Sequence, residues 1–178
     1  MRLVENFELQ PHLVGHLLEL RPLREQDWEG LFAAAADPLI WKVHPSPDRY
    51  KEEIFRDYFR EALASGGALV AIDLHTGNLI GSSRYFRFGP NRDEIEIGWT
   101  FLARAYWGGE YNREMKRLML DHAFKFVDKV IFVVAMTNVR SRKAVEKIGG
   151  VLTDRVDIRV LHGEPIEHVI YEIHKPAT

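Results

Sequence analysis

The spacing of apolar residues along the chain changes at several places, and each change predicts a new element. Between Glu94 and Leu102 apolar and polar residues alternate, which indicates a β-strand with one apolar face. The residues expected on that face are Ile95, Ile97, Trp99 and Phe101. From Asn112 to Phe126 apolar residues recur at intervals of three and four, which predicts a helix packed on one side.

Other stretches of the chain predict further strands and helices. The apolar run Val130–Met136 predicts a central strand covered on both faces, followed by a short helix that a pair of glycines ends. Strands are also expected at 16–23, 68–74, 79–88, 151–161 and 166–174, and helices around 28–35 and 54–63. Pro38 should close the first of these helices, and Gly89–Arg92 should lead into the next strand. Residues 1–12 have no clear period and are expected to form a loose N-terminal arm.

This order of elements predicts a mixed α/β fold. We expect one domain over residues 1–178, with a mixed, mostly antiparallel central sheet of six to seven strands and helices on both faces. The length of 178 residues and the hydrophobic content of 46% suit one core of ordinary size.

Charge balance and missing residue types exclude several classes of function. Lys and Arg number 24 against 26 Asp and Glu, so no global attraction to nucleic acid or an anionic membrane is expected. Without cysteine there is no disulfide, thiolate zinc site or acyl-cysteine intermediate. His162, His168 and His174 are expected in surface or packing roles, so no metal site is predicted. The chain has no long apolar run, which favours a soluble cytoplasmic protein.

The turn Tyr106–Asn112 is the first candidate for chemistry. It carries Gly108 and Gly109 and leads into the predicted helix. Such a turn points backbone N–H groups and the positive end of the helix dipole at one spot, which suits a phosphate. The alternative is an ordinary turn with no ligand.

Two segments together resemble the GNAT superfamily of acetyl-coenzyme A dependent N-acetyltransferases. One is the strand, Trp107-Gly108-Gly109 turn and helix; the other is the apolar strand followed by Asn138–Gly150. Leu13–His16, Leu20–Leu23 and Glu96–Trp99 are most similar to the branch that contains the ribosomal-protein N-terminal acetyltransferases. The resemblance implies the GNAT fold, acetyl-CoA as donor and direct transfer to an amine.

The resemblance also implies which residues hold the coenzyme. Trp107, Gly108, Gly109 and Asn112 match the pyrophosphate loop, and the strand residues Trp99, Thr100, Phe101 and Leu102 would offer backbone groups to the pantetheine arm. Asn138 would bond the pantetheine part or simply cap a helix, and Ser141 would donate to the departing sulfur or be an ordinary helix serine. Several basic residues near the motifs could reach the 3′-phosphate or face solvent: Arg104, Arg113, Lys116, Arg117, Arg140, Arg142 and Lys143.

Three positions depart from the family pattern. Glu110 stands where many members carry a second glycine, and Ala105 stands where many carry Gln or Arg. A positive φ or a carboxylate facing the pyrophosphate at Glu110 would weaken coenzyme binding, whereas a first-turn acid would only stabilise the helix dipole. Val145 replaces a tyrosine general acid, which is tolerable because a thiol with a pKa near 8.5 leaves readily as thiolate.

Glu96 is the candidate general base, acting through a water, with Glu94 on the same strand face. The alternative is that both acids face solvent or an arginine. The family builds part of its acceptor pocket where this chain has Trp41, His44, Arg49 and Tyr50, which could equally be ordinary loop residues.

An α-amine needs little help from a base, so an N-terminal α-amine of a protein or peptide is the expected acceptor. The alternatives are a polyamine or antibiotic amine, a silent acyl-CoA binding module, and an unrelated α/β binding protein. Addition of the C-terminal hairpin to the sheet of a second copy would give a homodimer.

Overall fold

The computed structural model describes residues 6–87 and 93–177. Within them the elements are β1 (Leu13–Val14), β2 (Leu18–Pro22), α1 (Trp28–Ala35), α2 (Pro38–Trp41), α3 (Glu52–Ser65), β3 (Ala68–Asp73), β4 (Leu79–Phe86), β5 (Glu94–Leu102), α4 (Glu110–Ala123), β6 (Lys129–Ala135), α5 (Val139–Lys147), β7 (Val151–Leu161) and β8 (Glu164–His174). The predicted link Gly89–Arg92 and the predicted strand end at Phe88 lie outside the described residues.

The strands of the described residues form one sheet in the order β1-β2-β3-β4-β5-β6-β8-β7. Neighbouring strands are antiparallel except β5 and β6, which are parallel. The predicted mixed, mostly antiparallel sheet is therefore confirmed, with eight strands in place of six to seven.

The additional strand arises where a single first strand was expected. The chain turns at Gly15, and Leu13 pairs with Leu20 across that turn. The carboxylate of Glu114 on α4 accepts the backbone N–H groups of His16, Leu17 and Leu18 at 2.7–3.1 Å, which holds the turn against the helix. A contact between positions almost a hundred residues apart leaves no periodic signal in the sequence.

Helices cover both faces of the sheet, as predicted. We name the two layers by their helices: the first core lies against α4 and α5, and the second core lies against α1, α2 and α3. Strand β3 contributes to both, because Leu69 and Ala71 enter the first core while Ala68 and Val70 enter the second. Because both faces of β3 are buried, its sequence is a continuous apolar run.

The expected single apolar face of β5 is wrong, because a β-bulge interrupts the strand. Ile95 and Ile97 enter the first core, but Phe101 enters the second core and Trp99 packs against it. Trp99 has φ of +52°, and the pairing of β4 with β5 shifts register beside it. One extra residue thus reverses which side chains face which helices.

Pro38 begins a helix, and the prediction that it would only close the preceding one missed this. Asp37 caps α2 by accepting the N–H of Leu39 at 3.0 Å, and proline suits the first helical position because its missing N–H has no partner there anyway.

The expected loose arm does not hold for the part of it that is described. Phe7 is 4% exposed and packs edge-on against Tyr85 and His122. The His122 ring also contacts the Glu8 carbonyl at 2.8 Å. Because the segment is held by one aromatic residue, Phe7, the spacing of its apolar residues shows no periodic pattern.

Candidate active site

Strands β5 and β6 are parallel neighbours for only three residue pairs, and we call the unpaired stretch between them beyond these pairs the cleft. Their pairing begins at Glu94 with Lys129 and ends at Glu96 with Ile131, although both strands continue. Beyond that point β5 is held by β4 on one side only. Unpaired strand edges at the carboxyl ends of parallel strands are a common place for a ligand, whose polar groups can take the place of a strand.

The bulge at Trp99 lies where the two strands part. The Trp99 carbonyl accepts the hydroxyl of Tyr58, on α3, at 2.7 Å. A non-glycine residue in the left-handed region costs about 1 kcal/mol or more, and such strain is often found at functional sites. This hydrogen bond helps to hold the strained conformation.

The glycine turn follows directly from the end of β5. The Trp107 indole N–H donates to the Leu102 carbonyl at 2.8 Å, which ties the turn to the strand. Gly108 has φ of +72°, and Gly109 is the N-cap of α4. A Cβ at either glycine would meet no other atom within 4 Å, so the space beside the turn is open. A phosphate could therefore approach the first N–H groups of the helix.

Glu110 is the first residue of α4, and the helix thus begins two residues before the predicted Asn112. Among non-glycine residues of the described ranges only Trp99 and His162 have positive φ, so Glu110 is not strained. Its carboxylate is exposed and lies 3.2 Å from Arg113. This geometry matches the alternative of a first-turn acid that stabilises the helix dipole.

The basic residues around the turn differ in the groups that they contact. Arg140 lies 4.3 Å from the Trp107 ring centre and donates to the Ile40 carbonyl at 2.9 Å, so it joins the turn to α2. Arg104 pairs with Asp37. Arg142 donates to Tyr171 and to the Met136 carbonyl, both at 3.0 Å.

Lys116 is buried and does not face solvent. Its Nζ donates to the Thr100 hydroxyl at 2.8 Å, and that hydroxyl also contacts Ser83 at 2.8 Å. Burial lowers the pKa of Lys116 from 10.5 to about 7. Because the Lys116 side chain is buried beneath β5, it does not reach a 3′-phosphate at the helix surface.

The second motif places Asn138 at the start of α5. Its side chain accepts the N–H of Ser141 at 3.3 Å, so it caps the helix, and it is buried at the end of β6. The capping alternative is thus present, and the predicted bond to pantetheine remains compatible with it. Val145 packs into the first core.

Glu96 and Glu94 both face arginines of β7. Arg159 donates to both oxygens of Glu96 at 2.9 Å, and Arg155 donates to Glu94 at 2.9 and 3.0 Å. Lys129 also lies 3.2 Å from Glu94. Burial raises the pKa of Glu96, against the opposing effect of Arg159. In the structure each of the two glutamates faces an arginine, which was the alternative to a catalytic role. The role of Glu96 as general base stays a prediction.

A cavity of about 330 Å³ opens between α3 and the tip of the β7–β8 hairpin. Arg49, Tyr58 and Leu161 are among its lining residues, and His162 contacts the Ser46 hydroxyl at 2.9 Å across it. Of the predicted acceptor residues, Arg49 lines this cavity. Trp41 is instead buried in the second core, where its indole N–H donates to the Ala35 carbonyl.

Sequence reasoning missed three residues beside the bulge: Tyr58, Arg84 and Arg159. Arg84 and Arg159 lie 4.4 and 5.3 Å from the Trp99 ring centre. Arg84 could have been noticed, since a lone arginine in the buried strand Leu79–Phe86 departs from its apolar and small neighbours.

The described residues contain no group of three or more His, Cys, Asp or Glu side chains suited to a metal ion. In the same part of the chain, no helix is long and apolar enough to span a membrane.

The chain matches the family model described as an acetyltransferase (GNAT) domain over residues 18–151. No curated protein sequence matches it. Among solved structures, an acetyltransferase from Agrobacterium tumefaciens strain C58 is 27% identical with a TM-score of 0.68, over 93% of this chain and 95% of that one.

Two further structures are similar in fold. One, from Vibrio cholerae, is described as a ribosomal-protein-serine acetyltransferase, with 15% identity, a TM-score of 0.72, and coverage of 93% and 98%. The other is the microcin C7 self-immunity acetyltransferase in complex with acetyl-CoA and AMP, with 13% identity, a TM-score of 0.70, and coverage of 90% and 94%.

Proposed function

The chain belongs to the GNAT acetyltransferase family, and on this basis we propose that it transfers the acetyl group of acetyl-CoA to the α-amine at the N-terminus of a protein or peptide. The observation that carries the proposal is the cleft between β5 and β6. It begins beside the bulge at Trp99 and continues to the open glycine turn at the start of α4. This path would suit one linear ligand with a diphosphate at one end and an acyl group at the other.

The donor would lie along this cleft. Backbone groups of Trp99–Leu102 would meet the pantetheine arm, and the turn at Trp107–Gly109, with Asn112 and Arg113 behind it, would meet the pyrophosphate. Both glycines are open to an approaching group, which supports this assignment. Asn138, three residues after the end of β6 and the N-cap of α5, would bond the pantetheine amide.

Transfer would be direct, since the chain has no cysteine to carry the acetyl group. The amine nitrogen attacks the thioester carbonyl, a C–N bond forms, the C–S bond breaks, and the CoA sulfur leaves as thiolate. A backbone N–H of the Trp99–Leu102 segment would polarise the carbonyl oxygen. The amine gives up a proton to water, with Glu96 as the nearby carboxylate, and water or Ser141 protonates the thiolate.

A weak base is sufficient for an α-amine. With a pKa near 8, about a tenth of such an amine is neutral at pH 7, so deprotonation adds about 1.4 kcal/mol to the barrier, against about 4–5 kcal/mol for a lysine side chain. Both oxygens of Glu96 accept from Arg159, so the carboxylate is already engaged by a cation in the resting state, although burial raises its pKa. The α-amine is therefore the better match.

A second candidate is a catalytically silent module that binds acyl-CoA. Val145 in place of the family tyrosine and the Glu96–Arg159 pair both favour it. Thermal unfolding with acetyl-CoA and with free CoA, followed by assay of thiol release with a panel of peptides, separates the two. A ligand at 100 times its Kd stabilises the native state by about 2.7 kcal/mol.

A shift of a few degrees together with acetylated peptide identified by mass spectrometry would support the enzyme. A shift without any acetylated product would support the silent module. The absence of a shift at millimolar ligand would contradict both.

A further inference from the structure

Two buried arginines lie around Tyr58, near the bulge, and neither forms an ion pair with an acidic side chain of residues 6–87 or 93–177. Arg84, on β4, is 5% exposed, and its Nε and Nη2 atoms have no hydrogen-bond partner among the described residues. Arg49 is also buried, and within the described residues its polar contact is with His44 at 3.4 Å. A buried guanidinium without an anion is costly, so such a group calls for an explanation.

The contact of Arg49 with His44 is not a hydrogen bond, because both of the nitrogen atoms that face each other carry a proton. The Ser46 N–H donates to Nδ1 of His44 at 2.8 Å, so Nδ1 carries no proton. Burial lowers the pKa of His44 to about 3, so the ring is neutral and its single proton is on Nε2. Nε2 therefore faces Arg49 as a second donor. In the described part of the chain, the cluster therefore presents N–H groups of Arg49, Arg84 and His44 that have no acceptor.

Nearby carboxylates do not satisfy these arginines. Glu96 gives both of its oxygens to Arg159. Glu61, at the rim of the cavity, is exposed and makes no ion pair with either arginine in the described parts of the chain. The balance of charge around Tyr58 is positive.

The two arginines lie next to Tyr58, which is hydrogen-bonded to the bulge at Trp99. The two guanidinium carbons lie 4.9 Å (Arg49) and 5.9 Å (Arg84) from the Tyr58 ring centre, and the Tyr58 hydroxyl donates to the Trp99 carbonyl. Arg49 and Tyr58 also line the 330 Å³ cavity, so the cluster lies between that cavity and the bulge. An acceptor entering through the cavity would pass it.

We propose that the acceptor carries a carboxylate close to its amine, and that Arg84 and Arg49 bind this carboxylate while the amine lies at the bulge. This inference rests on the proposed function and names its substrate class. Nε–H and Nη2–H project in parallel from one edge of a guanidinium, and they match the two oxygens of a carboxylate. Among the described residues, these are the two fully buried nitrogen atoms of Arg84 that have no hydrogen-bond partner. The positive cluster also argues against a polyamine.

The carboxylate could be a side chain of the first residues of a peptide or the α-carboxylate of a free amino acid. Matched pairs distinguish these sources: peptides that begin with Glu or Gln, peptides with Asp or Asn second, and a free amino acid with its amide. In at least one pair the carboxylate member should have a kcat/KM about tenfold higher or more.

Arg84→Met should bring the two members of that pair to within about twofold of each other, and its ligand-free unfolding midpoint should be equal to or above that of wild type, since an unpaired buried charge is removed. Arg84→Lys, which keeps the charge but loses the parallel N–H pair, should restore only part of the preference. Arg56→Met is the matched control, because Arg56 is half exposed on α3 and paired with Glu52, and it should keep the wild-type ratio.

A titration separates failure of this inference from failure of the proposed function. CoA-loaded protein is titrated with the N-acetylated form of each pair, which requires no turnover. Tighter binding of the carboxylate member that Arg84→Met abolishes supports the inference even if no amine is acetylated. Equal binding and equal rates within every pair would overturn it, even where amines are acetylated.

Discussion

Arg159 donates from both of its terminal nitrogens to the two oxygens of Glu96, each at 2.9 Å, and so binds the candidate base from a strand 63 residues away. Arg155 binds Glu94 in the same way on the same two strands. The two pairs share the same two-point geometry, although Glu94 also lies 3.2 Å from Lys129, and Glu96 is nearer the bulge. This likeness provides a matched test of the base assignment.

Glu96→Gln and Glu94→Gln should both lower stability, by about 2–4 kcal/mol, because each leaves an arginine facing an amide in place of a carboxylate. If Glu96 assists proton removal, Glu96→Gln alone should lower kcat, with acetyl-CoA binding kept. Denaturant unfolding and steady-state kinetics of both variants measure this. An equal fall in kcat for both would show that the pairs act only by holding the hairpin.

Lys116→Met should stabilise the protein near neutral pH. The lysine pKa is lowered to about 7 in the folded state, so between about pH 7 and 10.5 the unfolded chain binds one proton more and wild-type stability rises with pH. The gain from methionine should be about 1–3 kcal/mol at pH 6 and should shrink toward pH 10. Urea unfolding across this range tests it, with the exposed Lys125→Met as control. A gain that does not depend on pH would contradict the buried amine.

Glu114→Ala should destabilise the protein by about 2–4 kcal/mol, because three backbone N–H groups lose a charged acceptor. Those bonds lower the pKa of Glu114 against the effect of burial, so its contribution is present above the ordinary carboxyl pKa and is lost as pH falls through the folded value. Glu110→Ala, an exposed acid on the same helix, should change stability by under about 0.5 kcal/mol. Equal effects in thermal unfolding would refute the tethering role.

The two glycines of the turn should respond differently to alanine. Gly108→Ala should cost about 1 kcal/mol without ligand, since its φ of +72° disfavours a Cβ. Gly109 has φ of −117°, so Gly109→Ala should leave the ligand-free protein stable and weaken coenzyme binding by placing a methyl group in the open space beside the turn. Unfolding without ligand and CoA titration separate the two effects. Unchanged CoA affinity in Gly109→Ala would argue against phosphate binding there.

The elements that sequence reasoning predicted well are those whose signal is local. The alternation in β5, the helical period of α4 and the apolar run of β6 are visible in short windows of sequence, and the glycines around Gly108 mark the turn between β5 and α4. The bulge at Trp99 has no such mark, because nothing in the residue type requires a positive φ. It is set by long-range contacts with β4 and with Tyr58.

The candidate site was predicted unevenly for the same reason. The Trp107–Gly109 turn and Asn138 could be proposed from the sequence because their motifs are contiguous, and their contact with the coenzyme stays a prediction. The partners of Glu96 and Glu94 come from β7, and the burial of Lys116 depends on which turn of α4 meets Thr100. Such pairings depend on how distant strands and helices pack, which a single sequence does not display.

The bulge also divides strand β5 into two segments, and the alternation of side-chain direction in one is offset by one residue from that in the other. Ile95 and Ile97 enter the first core, and Thr100 and Leu102 return to the same side only because Trp99 is counted as an extra residue. Without it, alternation from Ile97 would run unbroken through Gly98 to Thr100, and every side chain on both halves would keep its place. Packing of the two cores therefore does not require the insertion, and what it supplies is the local departure from regular pairing at the mouth of the cleft.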